Sequence, residues 1–163
     1  MFALIKSGVV VATNKDGFGN AVLSAGDEIV ENSSAAIGLC YSNGVFSESV
    51  AKCRTEKRAY IRKECGHKID AGFFSEALGY ECQYRNTRDR QNEMFVASVS
   101  GGGEIWRNET LTQHTVAQAK LVLAKSRTEV ARHNRTYADK CVYINNPSRT
   151  AAEINAVTWD SSE

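Results

Sequence analysis

The hydrophobic pattern changes period near residue 49. Before it, apolar residues come in two short runs, Phe2 to Lys6 and Val9 to Thr13, separated by Ser7-Gly8. Two such runs around a two-residue break predict a β-hairpin. Asn14 to Asn20 is rich in Asn, Asp and Gly and reads as a loop. Leu39 to Phe46 predicts a second hairpin with Asn43-Gly44 at its turn, because both central residues of a type I′ turn need positive φ.

From Ser49 onward the spacing is helical. Ser49 is placed to cap, and Val50, Cys53, Tyr60 and Ile61 fall on one apolar stripe. Gly66 suits the position just past the end of that helix. Residues 67–73 and 80–85 read as strands around Ser75 to Gly79. Asn86 or Thr87 opens a second helix that runs to about Ser98, and Gly101-Gly102-Gly103 stops it. Glu104 to Thr110 reads as a strand with Ile105 and Trp106 as its apolar part.

Thr115 followed by Gln118 is a capping-box spacing, in which the hydroxyl and the amide each satisfy the other residue's backbone N–H. Behind it Val116, Leu123, Val130, Tyr137 and Ile144 recur every seven residues, with Ala119, Ser126 and His133 at intermediate positions. This predicts a single-seam helix over residues 115–145, about 45 Å long at 1.5 Å per residue. The seam either packs within the monomer or joins copies of the chain, and we take it as the candidate interaction surface. Asn145 to Pro147 ends the helix. Thr150 with Glu153 repeats the capping box before a short helix carrying Ile154 and Val157 towards Trp159, and Asp160 to Glu163 is a polar tail. The expected fold class is α+β. A small β-module of hairpins (residues 1–48) precedes a helix-rich domain (residues 49–163) with a small sheet and one long C-terminal helix.

At 163 residues the chain is long enough to bury a real core. Its 20 basic and 19 acidic residues give a net charge of +1, without the positive excess of a general nucleic-acid binder. The longest apolar run, Val9 to Ala12, is too short to span a bilayer. No basic leader with an apolar stretch follows Met1, so synthesis in a reducing cytoplasm is the expectation. The five cysteines, Cys40, Cys53, Cys65, Cys82 and Cys141, are odd in number and widely spaced, which argues for isolated thiols and against a disulfide framework.

The chemistry-bearing residues do not assemble into a signature. His114-Thr115 has no second copy to hold a phosphate from both sides, and base catalysis needs a positioned partner. Cys53, Cys65, His67 and Cys82 lack the short paired spacings of structural zinc sites. Lys52, Arg54, Lys57, Arg58, Arg62 and Lys63 make a basic run that reads as the solvated face of an amphipathic helix. Gly101 to Gly103 is not followed by Lys-Ser/Thr and is no phosphate loop. We assign no catalytic residue, no cofactor and no metal ligand.

Three segments taken in order, Lys68 to Gly79, Tyr84 to Asn92 and His114 to Gln118, together with the C-terminal Ala151 to Val157, resemble a small domain that recurs near the ends of bacteriophage tail-fibre and tail-associated proteins. The resemblance covers residues 52–160. Arg90 interrupts the expected Asp-Gln pairing of the middle segment. Residues 1–48 separately look like the short β-modules that begin other phage tail proteins. The resemblance implies a tail or baseplate structural protein located in the virion. Its partners would be other tail proteins and, since such fibres are commonly trimeric, further copies of itself. It carries no catalytic residues. A tail-fibre assembly chaperone is the alternative, and a small phage enzyme or nucleic-acid-binding factor a third.

Overall fold

A computed structural model describes residues 1–19, 22–31, 35–36, 39–42 and 45–160. The architecture is α+β, with an N-terminal antiparallel sheet followed by helices, two small sheets and a long helix. Two compact units are formed. The first comprises Met1–Lys57 with Pro147–Ala156, and the second Arg58–Asn146 with the chain from Val157 onward.

In the first unit, β1 (Phe2–Lys6) and β2 (Val9–Asn14) form the expected hairpin. Ser7 and Gly8 both adopt positive φ, 50° and 75°, as the tight turn requires. The sheet order is β3-β1-β2-β4-β5, with β3 Glu28–Glu31, β4 Cys40–Ser42 and β5 Val45–Ser47. Strands β4 and β5 pair antiparallel from Cys40↔Ser47 to Ser42↔Val45; the turn residues Asn43 and Gly44 lie outside the described residues. Ala3, Ile5, Val10 and Ala35 form the core of this sheet. β3 was not expected from the pattern. Its two apolar residues between glutamates are too few to signal a strand, and it exists because β1 offers an edge, with Ala3 opposite Val30.

Helix α1 (Val50–Asp70) is longer than the sequence suggested. Gly66 lies inside it, and residues 67–70 are helical where a strand was expected. The glycine that breaks the chain is Gly72, at φ 93°. Gly66 lies exposed with nothing within 4 Å of its Cβ position, so only its modest intrinsic penalty opposes the helix. The buried stripe of α1 is Cys53, Ile61 and Cys65; Tyr60, expected among them, is exposed. The first turns of α1 also hold the short helix α4 (Ala151–Ala156), where Lys57 Nζ donates to the Asn155 carbonyl at 2.8 Å. Thr150 and Glu153 cap α4 reciprocally, as their spacing predicts.

In the second unit, β6 (Phe73–Ser75) pairs with β7 (Cys82–Tyr84), and α2 (Arg88–Val99) follows with Thr87 at its N-cap. Residues 104–110 are not one strand. The chain reverses at Asn108, which accepts φ 50°, to give the hairpin of β8 (Gly103–Arg107) and β9 (Thr110–His114). Asparagine tolerates this left-handed conformation better than most residues. Phe73, Tyr84, Met94, Ala97, Ile105, Ala119 and Val122 make the main core. The long helix α3 (Val116–Asn145, 30 residues) begins at the predicted capping box, with the Gln118 N–H donating to Thr115 Oγ1 at 3.3 Å and the Thr115 N–H to Gln118 Oε1 at 2.9 Å.

Candidate functional site

Helix α3 sends inward a stripe of Ala119, Val122, Ser126, His133, Lys140 and Ile144. Four of these, Ala119, Ser126, His133 and Lys140, recur every seven residues. Of the seam residues named from the sequence, Ile144 is buried, while Val116, Leu123, Val130 and Tyr137 are half-buried along the flank of that stripe. Leu123 packs against the main core. The Tyr137 hydroxyl bonds Cys141, one turn away, with Arg58 and Arg62 of α1 near it.

The buried polar groups along α3 face other polar groups. His114, 1% exposed, accepts at Nε2 from the Tyr84 hydroxyl at 2.9 Å, and its Nδ1–H donates to the Thr112 carbonyl at 2.7 Å. The carbonyl can only accept, which fixes this tautomer. Burial pushes the Tyr84 phenol up to about 12, so it stays a donor. Both ring nitrogens of His114 are therefore engaged inside the core, where no substrate can reach them. Tyr84→Phe is expected to leave Nε2 without its donor and to cost about 1–3 kcal/mol, read as a lower urea midpoint. Ser126 similarly donates to Asn86 Oδ1 at 2.6 Å, and the Asn86 carbonyl accepts from the Gln91 side chain at 2.7 Å.

His133 is placed differently. Arg132 donates to its Nε2 at 3.1 Å, its buried Nδ1 has no hydrogen-bond partner among the described residues, and the Trp159 ring lies 5.9 Å away. Burial, then the Arg132 cation and least of all Lys68, hold its pKa below the usual imidazole value, against an opposite pull from Glu129 that is weaker than that of Arg132. A depressed folded-state pKa means that the unfolded chain takes up the proton first. Stability is accordingly expected to be fully present above about pH 6.5 and to fall as pH drops from there through the folded-state value. Chemical denaturation between pH 7.5 and 5 should show this loss in the natural chain and a flatter profile in His133→Phe. The Glu153 carboxyl, held near 2 by hydrogen bonds from Thr150 and Arg149, titrates well below this window.

The cysteines stand apart as thiols. Cys53 contacts Glu48 and Asn155, Cys65 the His133 carbonyl, and Cys82 the Tyr80 carbonyl. Burial raises the pKa of Cys53 and Cys65, which disfavours the nucleophilic thiolate. Among the described residues no three His, Cys, Asp or Glu side chains gather to hold a metal ion. Of the basic run on α1, Lys52, Arg58, Arg62 and Lys63 are exposed. Gly101 to Gly103 lead into strand β8, and the His114 carbonyl occupies the space where a Gly102 side chain would sit. No helix among the described residues is long and apolar enough to cross a membrane.

Sequence reasoning missed two surface features. A depression of about 400 Å³ between α2 and the start of β8 is lined by Asp89, Asn92, Glu93, Val96 and Glu104. It brings carboxylates together with the Ser100 hydroxyl, which donates to the Val96 carbonyl, and its lining includes no imidazole. The second is an exposed apolar cluster around Phe74, for which strand alternation after Phe73 was the available signal. No family model, no curated protein and no solved structure matches this chain.

Proposed function

We propose that the protein is a structural component of a bacteriophage tail or baseplate, an adaptor that attaches or organises tail fibres by protein–protein binding. The observation that carries a binding role is helix α3. Its inward polar groups His114 (at its entry) and Ser126 are engaged within the fold, while Leu123, Val130 and Tyr137 remain half-buried and Leu121 and Val142 stand 60% and 73% exposed. A helix of this length with apolar groups left at the surface suits assembly better than turnover. The ordered motifs from Lys68 to Gln118 support the tail setting. In this reading the chain works in the virion with other tail proteins and with copies of itself as a trimer, and uses no cofactor, metal or catalytic step.

Quantitative mass spectrometry of purified particles tests the location. The chain should be present in fixed stoichiometry with the tail proteins. Its presence in infected cells but absence from particles would instead assign it to fibre assembly, and a nuclease or phosphodiesterase activity in the purified chain would overturn the binding role.

A further inference from the structure

Strand alternation buries Cys82 and Tyr84 of β7 and leaves Glu81, Gln83 and Arg85 exposed. The same rule buries Phe73 of β6 and turns out Phe74, the cross-strand partner of Gln83. The β8–β9 hairpin lies alongside, with the Asn108 N–H donating to the Gln83 carbonyl at 3.0 Å. Depressions run along this combined surface. The first, of about 430 Å³, has Phe74, Glu76, Glu81, Leu121 and Lys125 in its lining. The second, of about 230 Å³, shares Phe74 and Glu81 with it and adds Tyr80 and Arg107. The third, of about 510 Å³, shares Gln83, Asn108 and Thr110 with the second and adds Arg85 and Glu109. The shared walls make one continuous groove. Its first and third parts fall within the size range of small-molecule sites, roughly 300–1,000 Å³.

Charge and polarity narrow the occupant. Glu76, Glu81 and Glu109 stand against Arg85, Arg107 and Lys125 along the groove. Lys125 also pairs at 3.3 Å with Glu129, which is outside the lining, so the surface is within one charge of neutral. A groove for a nucleic-acid backbone carries a positive excess, and one for a basic segment a negative excess. This groove has neither. It offers instead the side-chain amides of Gln83 and Asn108 and the Thr110 hydroxyl, none of them hydrogen-bonded among the described residues. Arg107 donates through Nη1 to the Tyr80 hydroxyl, and its Nε and Nη2 groups meet no acceptor among the described residues. Between these polar groups stand two aromatic rings, Phe74 at 55% and Tyr80 at 54% exposure. A neutral sugar matches this combination. Its hydroxyls both donate and accept, so they suit amides, carboxylates and guanidinium alike. Its C–H faces are apolar and lie well against the electron-rich face of an aromatic ring.

We propose that this groove binds a neutral oligosaccharide, with Phe74 and Tyr80 stacking on its rings and Gln83, Asn108, Thr110 and Arg107 bonding its hydroxyls. The inference goes beyond a structural role and concerns the purified chain, so it stands independently of a tail location.

Saturation-transfer NMR and titration calorimetry of the full chain test it, with cellohexaose, maltohexaose, mannohexaose and chitohexaose as probes. At least one should bind saturably. Its affinity should change by less than about twofold between about 0.05 M and about 0.5 M NaCl, since a neutral ligand forms no ion pair to be screened. Phe74→Ala should weaken binding by about tenfold or more. Gln83→Ala should weaken it by about threefold or more, through the lost hydrogen bonds. Both side chains are exposed, so circular dichroism should not change; if Phe74→Ala perturbs the hairpin, Gln83→Ala carries the test. Val142→Ala, exposed on α3 and absent from the groove lining, should bind as the natural chain does. Oligouridylate and oligolysine are the charged controls, and any binding they show should be indifferent to Phe74→Ala and Gln83→Ala. Failure of all the sugar probes to bind saturably, sugar binding undiminished in both groove variants, or binding of a charged control that the same substitutions weaken would each overturn the proposal.

Discussion

Gly72→Ala is expected to be among the most damaging single substitutions in this chain, lowering stability by about 3 kcal/mol or more. Gly72 joins α1 to β6 at φ 93°, where an L side chain is strained. A Cβ built there would lie 2.0 Å from the Tyr84 carbonyl oxygen and 2.9 Å from the Arg85 Cα. Both obstacles are backbone, Tyr84 at the end of the strand that pairs with β6 across Phe73↔Tyr84 and Arg85 directly after it, so neither can step aside without disturbing the hairpin. Gly79→Ala is the internal control. Its φ of 86° is similar, yet nothing lies within 4 Å of its Cβ position. It should cost only about 1 kcal/mol, from backbone strain alone. Urea denaturation of both variants, followed by circular dichroism, checks the pair. Equal losses would mean that the close approach at Gly72 contributes nothing.

The second large effect is expected on α3. Leu123→Asp places a carboxylate where Leu123 packs against the core of Phe73, Met94, Ile105 and Val122, and should cost about 2–4 kcal/mol. Val130→Asp, half-buried and outside that core, should cost about 1 kcal/mol or less. The two substitutions therefore separate folding from assembly. Circular dichroism with light scattering should show Leu123→Asp losing structure and Val130→Asp keeping it. If the seam joins copies of the chain or neighbouring tail proteins, Val130→Asp should also weaken association and incorporation into particles. A Val130→Asp chain that is folded, unchanged in oligomeric state and normally incorporated would show that the seam takes no part in assembly.

What the sequence determined by itself were the elements governed by local rules. Ser7-Gly8 dictated the first hairpin because a two-residue turn needs two positive φ values in neighbouring residues. Thr115 with Gln118 and Thr150 with Glu153 fixed two helix starts, since each capping bond spans only three residues. The seven-residue recurrence from Val116 to Ile144 set the length of α3. Tertiary structure decided the rest. The recurrence contains two parallel rows, and only tertiary contacts (Ala119 with the main core, Ser126 with Asn86, His133 with Trp159) determined that the row of Ala119, Ser126, His133 and Lys140 is the buried one while Leu123, Val130 and Tyr137 flank it. The chain has a glycine at 66 and another at 72, and only the approach of the Tyr84 carbonyl made the second the required one. Strand β3 depended on the edge that β1 offered it. His114 became a core residue because Tyr84, thirty positions away, supplies the donor for its Nε2. Whether a polar side chain is a site or a satisfied part of the core depends on partners that are distant in the chain, and sequence spacing does not carry that information.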